Sequence, residues 1–182
     1  AVPDIHAILL KMCADHGAYA RDSETAFAYA MAYSREAANV FMRRCYYGAG
    51  LFKLNAVDVP ARKVWEESLG YADFFAEIQP YTHRNRRPKD KIRIGYISGD
   101  FRQHVMQYFI WPFLAGYDRD AFEVYIYNLG KEDQYSNFFR TLVTAWHDLR
   151  PLNRDMEKIA RAVYENEIDI LFDLAGHTAG TG

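Results

Sequence analysis

The chain is poor in cysteine and in net charge, and it lacks any long apolar run. Its two cysteines, Cys13 and Cys45, have no metal-type spacing and fall in helix-like stretches. Both read as buried thiols, which fits a reducing compartment and a cytoplasmic location. With 22 Lys and Arg against 24 Asp and Glu, the net charge is −2, a balance that does not suggest a nucleic-acid partner. No apolar stretch reaches the roughly 18 residues of a membrane span, and the start has no signal-peptide pattern, so no membrane partner is expected. The opening Ala1-Val2-Pro3 has no initiator Met and reads as a trimmed front. What the chain does have is core material: half its residues are hydrophobic, with 14 Tyr and 12 Phe. That argues against global disorder and for one ordinary domain or two small ones.

Residues 1–80 read as a helical segment. Ile5, Ile8, Leu9 and Met12 recur at helical spacing, and Ser23 is a candidate cap for a helix through Phe27, Ala30 and Met31. Ala38, Phe41, Met42 and Cys45 continue the stripe until Gly48 and Gly50 interrupt it. Asp58-Val59-Pro60 marks another start, with Asp58 as N-cap and Val64, Ser68, Tyr71, Phe75 and Ile78 on one face, Trp65, Leu69 and Ala72 beside it. A helical bundle is expected, without a visible repeat of about 34 residues. Pro80, Pro88 and a cluster of Arg and Lys then break the pattern. Residues 81–91 are read as an exposed basic linker rather than as the seat of an anionic partner.

From residue 92 to 182 strand-like and helix-like runs alternate. Ile92–Ser98, Phe122–Leu129, Trp146–Leu149 and Ile168–Leu174 read as strands, the last with the continuous apolar texture of a strand covered on both faces. Between them, Val105, Met106, Phe109, Ile110 and Phe113 have helical spacing, with Pro112 as a kink. Phe138, Phe139, Leu142 and Val143 form a second helical face, and Met156, Ile159, Ala160, Val163 and Tyr164 a third. This alternation predicts an α/β, Rossmann-like parallel sheet preceded by an all-α segment.

In such a sheet ligands bind beyond the carboxyl ends of the strands, so the loops there are the places to look. After the first strand comes Gly99-Asp100-Phe101-Arg102-Gln103-His104, and after the last Ala175-Gly176-His177-Thr178-Ala179-Gly180. If the two strands are neighbours, His104 and His177 share one rim. Imidazole can act as acid, base or hydrogen-bond donor near neutral pH. Asp100 is placed to accept backbone N–H groups and hold the turn, and Arg102 to meet a phosphate or to form a surface ion pair. Thr178 adds a hydroxyl beside His177. His147, next to Trp146 in a strand, reads as structural, and His6, His16 and His83 have no partners in view.

Lys91-Ile-Arg-Ile-Gly-Tyr-Ile-Ser-Gly-Asp-Phe-Arg-Gln-His104 resembles the opening of the catalytic region of O-linked N-acetylglucosamine transferases and their bacterial relatives, glycosyltransferase family 41. So do Phe122-Glu-Val-Tyr-Ile-Tyr127 and Ile168-Asp-Ile-Leu-Phe-Asp-Leu-Ala-Gly-His-Thr-Ala-Gly180. The resemblance covers about residues 90–182. It implies the N-terminal lobe of a GT-B fold, with the active site in a cleft between two Rossmann-like lobes. It also implies inverting transfer of N-acetylglucosamine or a related sugar from a nucleotide donor, a UDP-sugar, to Ser or Thr hydroxyls of a protein acceptor. No further cofactor is implied. By motif His104 lines that site, as base or as a ligand contact, and the Gly-His-Thr loop faces it. Relatives often carry tetratricopeptide repeats upstream. The chain departs from the pattern at Val105 and Met106, where small residues or Pro are common, and at Ala179-Gly180-Thr181-Gly182, where Gly-Asn-Arg-Leu is frequent. The donor-binding lobe is expected beyond Gly182, so this stretch reads as an incomplete catalytic unit that does not transfer sugar alone. The one Asp-x-Asp pair, Asp118-Arg119-Asp120, precedes the second strand instead of following a strand's carboxyl end, and metal-independent transfer is the expectation.

Two other readings compete. One is a non-catalytic module, helical plus Rossmann-like, that holds a partner protein through aromatics such as Tyr46, Tyr47 and Tyr81. The other, a free-standing nucleotide-binding domain, lacks a Gly-x-Gly-x-x-Gly after the first strand and any Walker-type loop.

Overall fold

A computed structural model describes residues 23–37, 39–83, 86 and 88–176. The chain divides into two compact units, residues 1–79 and 80–182.

In the first unit, α1 (Ser23–Glu36) and α2 (Val40–Leu54) pack together, followed by α3 (Ala61–Tyr71) and a 3-10 turn, Ala72–Phe75. Ala26, Ala30, Met31 and Tyr33 of α1 are buried with Leu51 and Leu54 of α2. Gly48 and Gly50, expected to end a helix, lie inside α2 and are buried. A Cβ on Gly50 would stand 2.9 Å from Met31 Sδ, so the small residue serves close helix approach. Asn39 caps α2 through its side chain, which accepts from Phe41 N–H. Asp58 does not cap α3: Pro60 holds that position without a side-chain bond. Its fixed φ presets the helix, and its missing N–H is one that a first turn leaves unbonded in any case. Trp65 and Leu69 of α3 are exposed, as is Cys45, expected to be buried. Tyr47 donates to Glu67 O at 2.9 Å and packs against Tyr71 and Phe74, which accounts for it as an edge-packing ring.

The second unit is a four-stranded sheet in the order β3-β2-β1-β4, parallel throughout. The strands are β1 (Ile92–Ser98), β2 (Phe122–Asn128), β3 (Ala145–Asp148) and β4 (Ile170–Asp173); the helices are α4 (Met106–Gly116), α5 (Gln134–Arg140) and α6 (Met156–Glu165). Alternation along β2 separates two cores. Val124 and Ile126 meet Ile110 and Leu114 of α4 and Phe139 of α5. Tyr127 meets Leu149, Ile168 and Ile159 of α6 on the opposite face.

Two sequence expectations change here. The buried face of α4 is Gln107, Ile110 and Leu114, while Val105, Phe109 and Phe113 are 60%, 64% and 66% exposed. A helix apolar on nearly every side has no phase of its own, and the sheet selects one. And among the described residues β4 is an edge strand with Ile170, Leu171 and Phe172 exposed, where a strand covered on both faces was expected.

Nor is the basic segment simply solvated. Arg86 donates to Ile168 O, Lys89 Nζ bonds both Asp169 oxygens at 2.7 Å, and Tyr81 stacks on Tyr164 at 4.3 Å. These contacts tie the segment to the α6–β4 connection. Among the described residues no helix is long and apolar enough to cross a membrane.

Candidate functional site

The strand order locates the site. The chain runs β1, β2, β3 toward one edge and then returns to the other side of β1 to form β4. Between β1 and β4 the connections diverge, which opens a crevice beyond the strands' carboxyl ends. Ile97 is paired with Asp173 there, and Leu174 N–H donates to Ile97 O at 3.1 Å. The loops leaving β1 and β4 therefore start side by side.

The β1 loop is built from short local bonds. Ser98, fully buried, takes the Asp100 N–H on its Oγ at 3.1 Å. Among the described residues no backbone N–H is bonded to the Asp100 carboxylate, which was expected to collect them: its Oδ1 accepts from Arg102 Nη2 at 3.2 Å, the ion-pair alternative for Arg102. His104 Nδ1 accepts the Met106 N–H at 3.3 Å and lies 3.8 Å from Asp100 Oδ2. The second distance exceeds hydrogen-bond range, so the amide decides the tautomer. The neutral ring carries its proton on Nε2. His104 is 40% exposed at its side chain, open to a ligand at the rim.

Sequence reasoning missed the residues that hold this loop. Asp133 is the N-cap of α5: its Oδ1 accepts from Tyr135 N–H at 2.8 Å and Ser136 N–H at 3.2 Å. Its Oδ2 takes the Gln103 N–H at 2.7 Å. Burial pushes this carboxyl up, but the N–H bonds from Gln103, Ser136 and Tyr135 outweigh it and hold the pKa below the usual aspartate value. Ser136 completes a capping box and donates its Oγ–H to Phe101 O at 2.6 Å. The Asp-x-x-Ser spacing at 133–136 was the available signal, and it announces a helix start but not the reach to another loop. Gly130 lies against the same turn: a Cβ there would stand 1.8 Å from Gly99 O. Only glycine allows the loops after β1 and β2 to meet so closely.

On the β4 side, Asp173 Oδ1 accepts the N–H groups of Ala175 at 2.9 Å and Gly176 at 3.1 Å, and Gly176 takes a φ of +53°, a conformation suited to glycine. His177 and Thr178 lie outside the described residues; the ends of the two strands that lead toward the two histidines are adjacent. His147 is elsewhere, stacked on Tyr127 at 5.1 Å in the sheet. Among the described residues no three His, Cys, Asp or Glu side chains are grouped as metal ligands.

This arrangement places a hydrogen-bonding imidazole, an Arg–Asp pair and a glycine turn in the loops that leave the carboxyl ends of β1 and β4. The model of Glycosyl transferase family 41 matches residues 75–182. A protein of Arabidopsis thaliana described as a probable UDP-N-acetylglucosamine–peptide N-acetylglucosaminyltransferase, SPINDLY, is 36% identical over 125 residues, 64% of this chain and 14% of that protein. The protein of the same description from Solanum lycopersicum is 31% identical over 125 residues, 64% of this chain and 13% of its own length. The chain thus spans about a seventh of these relatives. Among solved structures, the K341M mutant of the Thermobaculum terrenum O-GlcNAc transferase superposes with a TM-score of 0.71 at 26% identity, covering 94% of this chain and 32% of that one. Strand order, rim loops and family match converge: the chain belongs to glycosyltransferase family 41, and residues 80–182 form the N-terminal Rossmann-like lobe of its GT-B fold.

Proposed function

We propose that this chain is part of an inverting, metal-independent glycosyltransferase that moves N-acetylglucosamine or a related sugar from a UDP-sugar to Ser or Thr hydroxyls of a protein in the cytoplasm. In this reading it supplies the acceptor-side wall of the cleft. The donor-binding lobe comes from chain beyond Gly182, and this stretch is inactive alone. The reading rests above all on the β1–β4 crevice with His104 at its rim, in a chain of this family. The small share of the plant relatives that it spans supports the need for a second lobe.

In the transfer, the acceptor hydroxyl oxygen forms a bond to the anomeric carbon while the bond from that carbon to the diphosphate breaks. The hydroxyl proton passes to an oxygen of the departing diphosphate, on which negative charge grows. His104, with Nδ1 occupied by an amide, offers an Nε2–H donor to an oxygen of the reacting groups. Arg102 and Asp100 in the same loop, together with His177 and Thr178 of the Gly-His-Thr motif, are the substrate-contacting candidates. The test is transfer from UDP-N-acetylglucosamine to a Ser/Thr peptide by the polypeptide that includes the downstream lobe. His104→Ala is expected to lower turnover by about 10²-fold, and residues 1–182 alone to give none. Failure to transfer from any nucleotide sugar sinks the reading.

One observation favours a second reading, a non-catalytic module holding a partner protein. Tyr108, Phe109, Trp111 and Phe113 of α4 are all exposed. Capture of a defined partner that is lost on α4 substitutions, and indifferent to His104→Ala, would support it.

A further inference from the structure

We propose that Asp133 is a positioning residue for the His104 loop. The proposal rests on the reading above only for the statement that His104 meets substrate. Capping a short helix needs one acceptor oxygen, and in Asp133 a single oxygen, Oδ1, does all of it, receiving Tyr135 and Ser136 N–H. The other oxygen leaves the helix and takes the N–H of Gln103, thirty residues back and next to His104, in a bond of 2.7 Å. That is a charge-assisted length, shorter than an ordinary amide bond.

The rest of the loop is held in register with this bond. Two residues before Gln103, the carbonyl of Phe101 is held by Ser136 Oγ, and the Phe101 ring is buried in the core. After Gln103, the His104 carbonyl accepts from Gln107 N–H at 3.0 Å and the His104 ring from Met106 N–H. His104 is therefore fixed on its amino side by α5 and on its carboxyl side by α4. Asp133 is the link on the amino side. Arg102, between the two α5 anchors, has its guanidinium set by Asp100. The placement of the imidazole thus depends on a residue that need not touch substrate, and a shift of about 1 Å at such a group can cost 10²-fold in rate.

Asp133→Asn separates the two tasks. The amide oxygen still caps α5, because Asn and Asp are comparable N-caps, but the Nδ2 group now points a donor at the Gln103 N–H donor. Nuclear magnetic resonance of the 182-residue chain reads the outcome. In Asp133→Asn the Gln103 amide is expected to lose about tenfold in exchange protection, as for one lost hydrogen bond. The His104 ring nitrogens shift, and the α5 amides stay protected. Asp133→Ser, which caps through one oxygen, should act alike at the loop. Asp155→Asn, at the N-cap of α6, is the control and should leave His104 unmoved. Unchanged Gln103 and His104 signals in Asp133→Asn, or equal shifts in the control, overturn the proposal. Neither signal depends on sugar transfer. A shifted ring in an enzyme indifferent to His104→Ala would uphold the positioning and overturn the catalytic reading instead.

Discussion

His147 lies parallel to the rings of Tyr125 and Tyr127, with centroids 6.1 and 5.1 Å away, and its Nε2 is buried without a hydrogen-bond partner. Burial lowers its pKa below the usual histidine value. On acidification the unfolded chain therefore takes up the proton first. The stability this residue contributes is complete above about pH 6.5 and declines as the pH falls from there through the folded value. His147→Phe keeps a ring in the stack and removes the titration. We expect its melting temperature to fall less than the wild type's between about pH 7.5 and pH 5.5, as read by thermal circular dichroism. Equal slopes would show that other groups carry the acid sensitivity. The structural character of His147 was legible beside Trp146 in a strand-like run. The tautomer of His104 was not, because it depends on where the Met106 N–H points after α4 has docked.

At the scale of elements, the segment before β1 belongs with the sheet. Lys89 and Arg86 lie 2.7 and 3.7 Å from Asp169, and the Arg93 N–H donates to the same carboxylate at 2.8 Å. Burial pushes the Asp169 carboxyl up, but the Arg93 amide, Lys89 and Arg86 hold its pKa below the ordinary range. Removing residues 80–91 takes both cations and the Tyr81 ring from this corner. A polypeptide of residues 92–182 is expected to melt about 8–16 °C below one of residues 80–182, for a loss of roughly 2 kcal/mol. Equal melting temperatures would return the segment to the role of a loose linker. Charge clusters usually face water, so the sequence favoured that role; the partner Asp169 stands about eighty residues on and is invisible to local reading. The same limit applies to α4 and α2. Uniform apolarity in Met106–Gly116 hid the buried face, and glycines in α2 looked like breaks because the facing Met31 belongs to another helix.

At the scale of the molecule, among the described residues β4 stands at the edge of the sheet, where Ile170, Leu171 and Phe172 are exposed. Such an edge pairs readily with another chain. We expect concentration-dependent light scattering from the 182-residue chain, reduced by Ile170→Lys. Scattering unchanged by that substitution would place the sticky surface elsewhere, the aromatic face of α4 first. The alternation of strand and helix, the parallel class of the sheet and the glycine loops at its rim were all determined by sequence alone, since period and turn chemistry are local properties of the chain. Tertiary structure alone decided that β4 returns beside β1, that Asp133 reaches across to Gln103, and which face of α4 is buried. Each of these joins groups far apart in sequence, and their geometry exists only once the cores on both sides of the sheet have closed.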